Sequence, residues 1–199
     1  GMENIARGNY KYKLPMESDD EIGHLASTFN KTVEDLWIKS EVDSLTGIFT
    51  MNALLSRAER MIYSQREKRY AILVLNLNHF KFINNMFGRD EGDNILIYVA
   101  TVVKKNITKE GVFGRWKDDV FCIFTSYEHT KELEELADSL VKQIKAYSKV
   151  INVSASCGIS EVTDTSLSLK NYVDYANMAI ENIKDNVFVN YLFYDKELH

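Results

Sequence analysis

A chain of 199 residues is long enough for one ordinary domain with an appendage, and at 45% hydrophobic and 27% charged it can bury a core and is not a disordered polymer. Its net charge of -5 argues against a protein that coats nucleic acid, which needs a basic surface, but leaves room for a small nucleotide in a local pocket. No apolar run approaches the ~20 residues of a membrane-spanning helix, and there is no signal peptide.

Residues 3–15 are polar and without a clear period, and Pro15, the only proline, discourages a helix through it. Ser18, Asp19, Asp20 and Glu21 read as a helix start, with a capping side chain and acids in the first turn. Ile22, Leu25, Phe29, Val33 and Leu36 then recur at spacings of three and four, which predicts a helix to about Val42 with one apolar stripe. A narrow stripe between charged flanks suits a coiled-coil or bundle seam between subunits; the other reading is a helix packed on its own domain.

Asp43 to Gly47 is a turn-rich junction. A helix from Thr50 or Asn52 to about Lys68 buries Leu54, Leu55, Ala58, Met61 and Ile62. Tyr70 to Leu77 is a nearly continuous apolar run, as in a strand covered on both faces. Asn76 and Asn78 stand at its C-terminal end, where open α/β sheets present ligand groups. A short helix over His79–Phe87 ends at Gly88, and another over Asp93–Lys105 carries Ile95, Leu96, Val99, Ala100 and Val103 inward. Val112–Trp116 and Val120–Phe124 flank Lys117, Asp118 and Asp119, which reads as a β-hairpin with two adjacent acids at its tip. For an arbitrary Asp-Asp pair the ordinary reading is a solvated turn.

A helix over His129–Tyr147 presents Leu133, Leu136, Leu140, Val141 and Ile144 on one side. Ile151–Val162 is a strand in which Gly158 allows a neighbour to come close. Ser166–Asp185 is a helix and Val187–Tyr194 a last strand. Cys122 and Cys157 fall in strands and read as buried, reduced thiols of a cytoplasmic protein. From Tyr70 the order is β-α-α-β-β-α-β-α-β. It predicts an α/β sandwich with a central, mostly antiparallel sheet flanked by helices, related to the ferredoxin-like arrangement.

Several stretches together resemble the GGDEF family. Asp43-Ser44-Leu45-Thr46-Gly47 is similar to its Asp-x-Leu-Thr-Gly opening, and Asn76-Leu77-Asn78-His79-Phe80-Lys81-Phe82-Ile83-Asn84-Asn85 to its Asp-(Ile/Leu)-Asp-x-Phe-Lys-x-(Ile/Val)-Asn-Asp. Gly88 to Asp93 resembles Gly-His-x-x-Gly-Asp, Arg115 to Phe121 stands in place of Arg-Tyr-Gly-Gly-Asp-Glu-Phe, and Ser156-Cys157-Gly158 in place of Ser-(Ile/Val)-Gly. Upstream, Asp20-Glu21-Ile22-Gly23 with Phe29-Asn30 resembles the second helix of a HAMP domain. The resemblance implies a partial HAMP-like helix over residues 1–42 and a GGDEF domain over 43–199, with a fold like that of polymerase palms. It implies a cytoplasmic domain of an inner-membrane receptor, with the membrane span and the first HAMP helix upstream. Active members of the family are diguanylate cyclases. They join two GTP molecules into cyclic di-GMP across a two-fold dimer, using Mg²⁺ or Mn²⁺.

Carried over by register, the resemblance implies metal ligation at Asn76, Leu77 and Asp119, with Asp119 the retained catalytic acid. Substrate binding would fall to Lys81, Asn84, Asp93 and Lys184, of which Asn84 and Asp93 match the guanine-reading pair. The departures fall on the chemistry. Asn76 replaces a metal-binding Asp, Val120 replaces the acid after Asp119, Lys117 and Asp118 replace both signature glycines, and Phe188 replaces an Arg that accompanies Lys184. Mg²⁺ is a hard cation that prefers carboxylates, and phosphoryl transfer leans on its charge. The family's inhibitory Arg-x-x-Asp falls on Thr108 and Gly111, so feedback through that surface is not expected. The expectation is a degenerate GGDEF domain with weak or absent metal binding, acting as a guanine-nucleotide-binding or regulatory module, and homodimeric. The alternatives are a working cyclase with an atypical site and a dimerisation scaffold with no ligand.

Overall fold

The computed structural model describes residues 21–107, 110–148, 150–184, 186 and 188–195. The helix start at Ser18–Asp20 and the inhibitory-site position Thr108 lie outside them. The elements in chain order are α1 (Glu21–Glu41), β1 (Phe49–Thr50), α2 (Met51–Ser64), β2 (Arg69–Leu77), α3 (Phe80–Phe87), α4 (Arg89–Asn106), β3 (Gly111–Lys117), β4 (Val120–Tyr127), α5 (Thr130–Lys145), β5 (Ala155–Val162), α6 (Leu169–Glu181) and β6 (Tyr191–Phe193). The strands form one sheet in the order β1-β3-β4-β2-β5-β6. Its interior pairs, β3 with β4, β4 with β2 and β2 with β5, are antiparallel, and the short edge strands β1 and β6 add on in parallel. The expected α/β sandwich with a mostly antiparallel sheet is therefore the fold.

Alternation along β2 explains why its sequence is apolar throughout. Ala71, Leu73, Leu75 and Leu77 pack with Ile95, Val99, Leu140 and Ile144 of α4 and α5. Tyr70, Ile72 and Val74 face the other way, into Leu54, Ala58, Val173, Ala176 and Ile180 of α2 and α6. Each such side chain contributes about 1.5–3 kcal/mol when fully buried, so both layers are anchored by the one strand. Cys122 and Cys157 are buried and free, and they belong to opposite layers, so the sheet stands between them. Burial pushes both thiols up, Cys122 to about 12. The close approach expected at Gly158 is real: a Cβ there would lie 1.8 Å from the carbonyl oxygen of Ala176 on α6.

Several boundaries differ from the sequence pattern for local reasons. α4 begins at Arg89 rather than Asp93, because Gly88 at φ 90° turns the chain directly from α3 into α4, with Asp90 and Glu91 in the first turn. β1 was not expected; it exists because the chain after Gly47 runs beside β3. β5 starts at Ala155 instead of Ile151, α6 spans Leu169–Glu181, capped by Ser168, and β6 is confined to Tyr191–Phe193. On α1 the stripe is divided. Val33 is buried and Phe29 half-buried, but Ile22 and Leu25 are 71% and 68% exposed, while Gly23 and Ala26 lie inside. The side chain of Leu36 lies outside the described residues. No described helix is long and apolar enough to cross a membrane.

Candidate functional site

The C-terminal end of β2, the tip of the β3–β4 hairpin and the end of α6 converge. Asn76 pairs with Val120 on β4 and Ser156 on β5. The alternation of β2 turns its half-buried side chain toward the α2–α6 layer, the layer that also takes Val120. Leu77 is fully buried in the opposite layer, so only its backbone faces the site; its N–H donates to the carbonyl of Asp119 at 3.2 Å. Asn78 follows, its N–H on the Ser154 carbonyl at 2.8 Å and its Oδ1 accepting from the Ser156 hydroxyl at 3.0 Å. His79 then adopts φ 56°, a left-handed conformation unusual for a residue with a Cβ, and starts α3. Lys81 stands exposed on the first turn of that helix.

The hairpin closes through Asp118 and Asp119, with an irregularity of register between Arg115 and Lys117. Asp118 sits at φ 39°, in the region that favours glycine. Arg115 holds the strained turn. Its Nε and Nη2 donate to the Asp118 carbonyl, at 2.9 Å from Nε, and its Nη1 reaches Asp43 Oδ1 at 3.3 Å. Asp43 Oδ1 also accepts from the Thr46 amide at 2.9 Å and the Thr46 hydroxyl at 2.6 Å. Burial pushes the Asp43 carboxyl up, but the Thr46 bonds and the Arg115 charge outweigh it and hold it below the usual carboxylate range.

Asp119 is the carboxylate of the tip. Burial holds its carboxyl above the usual range and the charge of Asp118 adds to that, while Lys184 and Arg115 pull the other way. Asp119, Asp118, Lys184 and Arg115 thus share one electrostatic neighbourhood. Lys184 is exposed and lies 3.8 Å from Glu181. Val120 is buried among apolar side chains, so the position after Asp119 gives the site nothing polar. Of the residues that the resemblance assigns to a divalent cation, Asp119 brings a carboxylate, Asn76 a neutral amide and Leu77 its backbone. That is one negative charge, with a proton held more tightly than usual, where a hard cation looks for several. This donor set does not fit a two-metal phosphoryl-transfer centre.

Asn84 stands on α3 and Asp93 on α4, the helix into which α3 turns at Gly88. Asn84 is half-buried, and its Oδ1 is buried without a hydrogen-bond partner. It lies over Gly92, the residue before exposed Asp93: a Cβ on Gly92 would meet that oxygen at 1.8 Å. An unpartnered buried carbonyl oxygen costs about 1–3 kcal/mol, so a protein keeps one where something else is at stake. An open cavity of about 270 Å³, lined by Asn78, His79, Asn152, Ser154, Lys184 and Asn190, adjoins the start of β5. A larger one of about 490 Å³, between α2 and the loop before α6, touches none of these residues. The sequence pattern did not single out Arg115 or Gly92 as working parts; the signal for the first was that Arg115 falls on the Arg that opens the hairpin motif.

Comparison with known proteins assigns the chain. The family model for the diguanylate cyclase, GGDEF domain, matches residues 40–188, and the model for the HAMP domain matches residues 1–37. The uncharacterized protein YtrP of Bacillus subtilis is 31% identical over 157 residues, covering 76% of this chain and 27% of that protein. The bifunctional diguanylate cyclase/cyclic di-GMP phosphodiesterase MucR of Pseudomonas aeruginosa is 26% identical over 163 residues, covering 79% and 24%. The chain thus spans about a quarter of the length of these relatives. Among solved structures, the coiled coil and GGDEF domain of DgcB from Caulobacter crescentus, in complex with c-di-GMP, matches at TM-score 0.72 and 18% identity over 85% of this chain and 94% of that one. Diguanylate cyclase SiaD of Pseudomonas aeruginosa, in complex with its activator SiaC, matches at TM-score 0.70 and 18% identity over 96% and 74%. The chain belongs to the GGDEF family, its GGDEF domain preceded by a HAMP domain.

Proposed function

We propose that this member of the GGDEF family is a signalling output domain that has given up cyclic di-GMP synthesis and kept the guanine-reading end of its site. The observation that carries this reading is the contrast between the two ends. At one end Asn84 of α3 is held over Gly92 of α4, the residue before Asp93 in the chain, with an oxygen that has no protein partner. At the other, Asn76 and buried Val120 stand where carboxylates would hold metal, leaving Asp119 alone. Family members use Mg²⁺ or Mn²⁺; here such binding is weak or absent, and Lys81 and Lys184 are the cations left to meet phosphate. Removing several groups that act as a unit abolishes such chemistry rather than trimming it.

Titration calorimetry with GTP, with and without Mn²⁺, paired with chromatography of products, tests the reading. Guanine nucleotide should bind weakly, ATP less well, and no cyclic di-GMP should form. Product rising in proportion to protein, above a control without it, would return the domain to the cyclases, the activity for which its relative MucR is named. A scaffold without a ligand is favoured by one observation: Lys117 and Asp118 occupy glycine positions at the tip. Lys117→Gly with Asp118→Gly should therefore tighten guanine binding, and a double variant that binds none at millimolar concentration decides for the scaffold. With its HAMP segment, the domain belongs on the cytoplasmic side of a membrane receptor. It works as a homodimer, to which the exposed Ile22 and Leu25 of α1 contribute.

A further inference from the structure

The junction where α1 enters the domain holds a cation that the site does not use. Glu41, the last residue of α1, pairs with Arg57 Nη2 on α2 at 2.8 Å. The same guanidinium lies 4.0 Å over the centre of the Phe49 ring. The Arg57 and Glu41 side chains are only 27% and 18% exposed, and Arg57 Nη1 is buried with no hydrogen-bond partner. Charge-assisted pairing and the ring face therefore do all the work of compensating a largely desolvated cation.

Phe49 leads onward to the hairpin. Val42 bridges to Phe49, and the Asp43 N–H donates to the Ile48 carbonyl at 2.8 Å, closing the loop that follows α1. Phe49 and Thr50 pair with Gly114 and Arg115 of β3. The two backbones are so close at Gly114 that a Cβ there would meet the Phe49 carbonyl at 2.5 Å. Arg115 in turn grips the Asp118 carbonyl at the tip. One chain of contacts thus runs from the end of α1 to the turn that carries Asp119.

We propose that Arg57 is the hub of a latch that couples the position of α1 to the hairpin tip. While Glu41 is in place, the guanidinium stays on Phe49 and β1 is clamped against β3. If α1 turns or slides enough to withdraw Glu41, the cation is left buried with a ring face alone, which is unfavourable, and it leaves for water. Phe49 then loses its cover. A strand of only two residues has little else to hold it, so β1 parts from β3 and the support beneath Arg115 slackens. A small displacement of the helix end is converted into a discrete change at the tip, as two-state packed elements do. Nothing in this depends on whether nucleotide binds.

Hydrogen exchange of the whole chain, read by mass spectrometry, tests the latch in Glu41→Gln, Arg57→Met and the double variant. Each single change should speed exchange of the amides of residues 114–121 about tenfold, the scale of a lost buried ion pair with its ring contact, and leave the β2 and β5 amides as they were. The double variant should be no worse than either single, since both break one latch. Unchanged exchange at 114–121 in Glu41→Gln, a near-isosteric change that leaves Arg57 in place, would overturn the proposal. So would effects that add in the double variant.

Discussion

Gly92→Ala separates the candidate site from the fold that carries it. Gly92 lies in the first turns of α4 with ordinary helical backbone, so the substitution gains about 1 kcal/mol of helix propensity. The new methyl would stand 1.8 Å from Asn84 Oδ1, 2.9 Å from its Cγ and 3.3 Å from Phe80 Cζ. Asn84 must therefore swing away, at about 0.5–1.5 kcal/mol for a displaced rotamer. Moving it also frees a buried unpartnered oxygen, relieving a cost of about 1–3 kcal/mol. The two gains outweigh the rotamer cost by about 0.5–3.5 kcal/mol, so at roughly 2–4 °C of Tm per kcal/mol for a chain of this size the midpoint should rise, by about 1–14 °C. Guanine recognition should suffer, because the amide no longer points where it did. A lost hydrogen bond of about 1 kcal/mol is a fall of roughly fivefold in affinity for GTP, with little change for ATP. Thermal scans and calorimetric titrations on the same sample read both quantities. A variant that keeps the wild-type preference for GTP would refute the placing of Asn84 in a guanine pocket. A drop in Tm would show that Gly92 serves packing instead.

Gly158→Ala puts a methyl 1.8 Å from the Ala176 carbonyl oxygen and 2.8 Å from its carbon, backbone that cannot rotate away, so it should cost about 2–4 kcal/mol and roughly 5–15 °C of Tm. A variant as stable as the parent would mean that α6 does not press on β5 this closely. Asp119→Asn should change the pH profile of stability: the raised folded pKa means the native state holds this proton more tightly than the unfolded chain, so its contribution is full in acid and is lost as pH rises through that raised value. The variant should gain on the wild type in denaturant midpoints as pH rises above about 4, the usual carboxylate value, and a gap that does not change with pH contradicts the assignment. Leu25→Asp, on the exposed side of α1, should weaken any dimer without unfolding the domain, read as a fall in mass by light scattering. A dimer that persists unchanged places the seam elsewhere.

The domain layers were readable because their signal is local. β2 alternates between two apolar layers, and α5 repeats Leu133, Leu140 and Ile144 at helical spacing, so period and burial agree. The elements that escaped are those defined by a neighbour. β1 has two residues and exists only through β3, which no window of sequence contains. The stripe on α1 showed that a helix is there but not which positions its own domain covers; the small residues Gly23 and Ala26 took the inside and left Ile22 and Leu25 out, on the side a seam between subunits would use. The site residues fared likewise. Asn76, Asp119 and Asn84 could be named from motifs, but the orphan oxygen of Asn84 and the burial of Val120 are properties of packing. Glu41 and Arg57 carried no signal at all, since a helix-end acid and a mid-helix arginine are ordinary surface residues until Phe49 is laid between them.

The hairpin tip holds a strained turn with groups of its own. A turn at φ 39° asks for glycine, and Asp is among the few other residues that enter that region at modest cost. Here the cost is met locally: Arg115 donates twice to the Asp118 carbonyl and is itself anchored to Asp43, so the strained peptide is held by two charge-assisted bonds. The same grip has a consequence for any ligand. With three of its donors committed to Asp118 and Asp43, Arg115 has little left to offer a phosphate. Asp118 also brings its carboxylate close enough to raise the pKa of Asp119. Asp118 thus keeps the turn that glycine would make and adds a negative charge beside Asp119. On the proposed reading, this is why the tip would receive a triphosphate poorly although the strands that carry it keep their register.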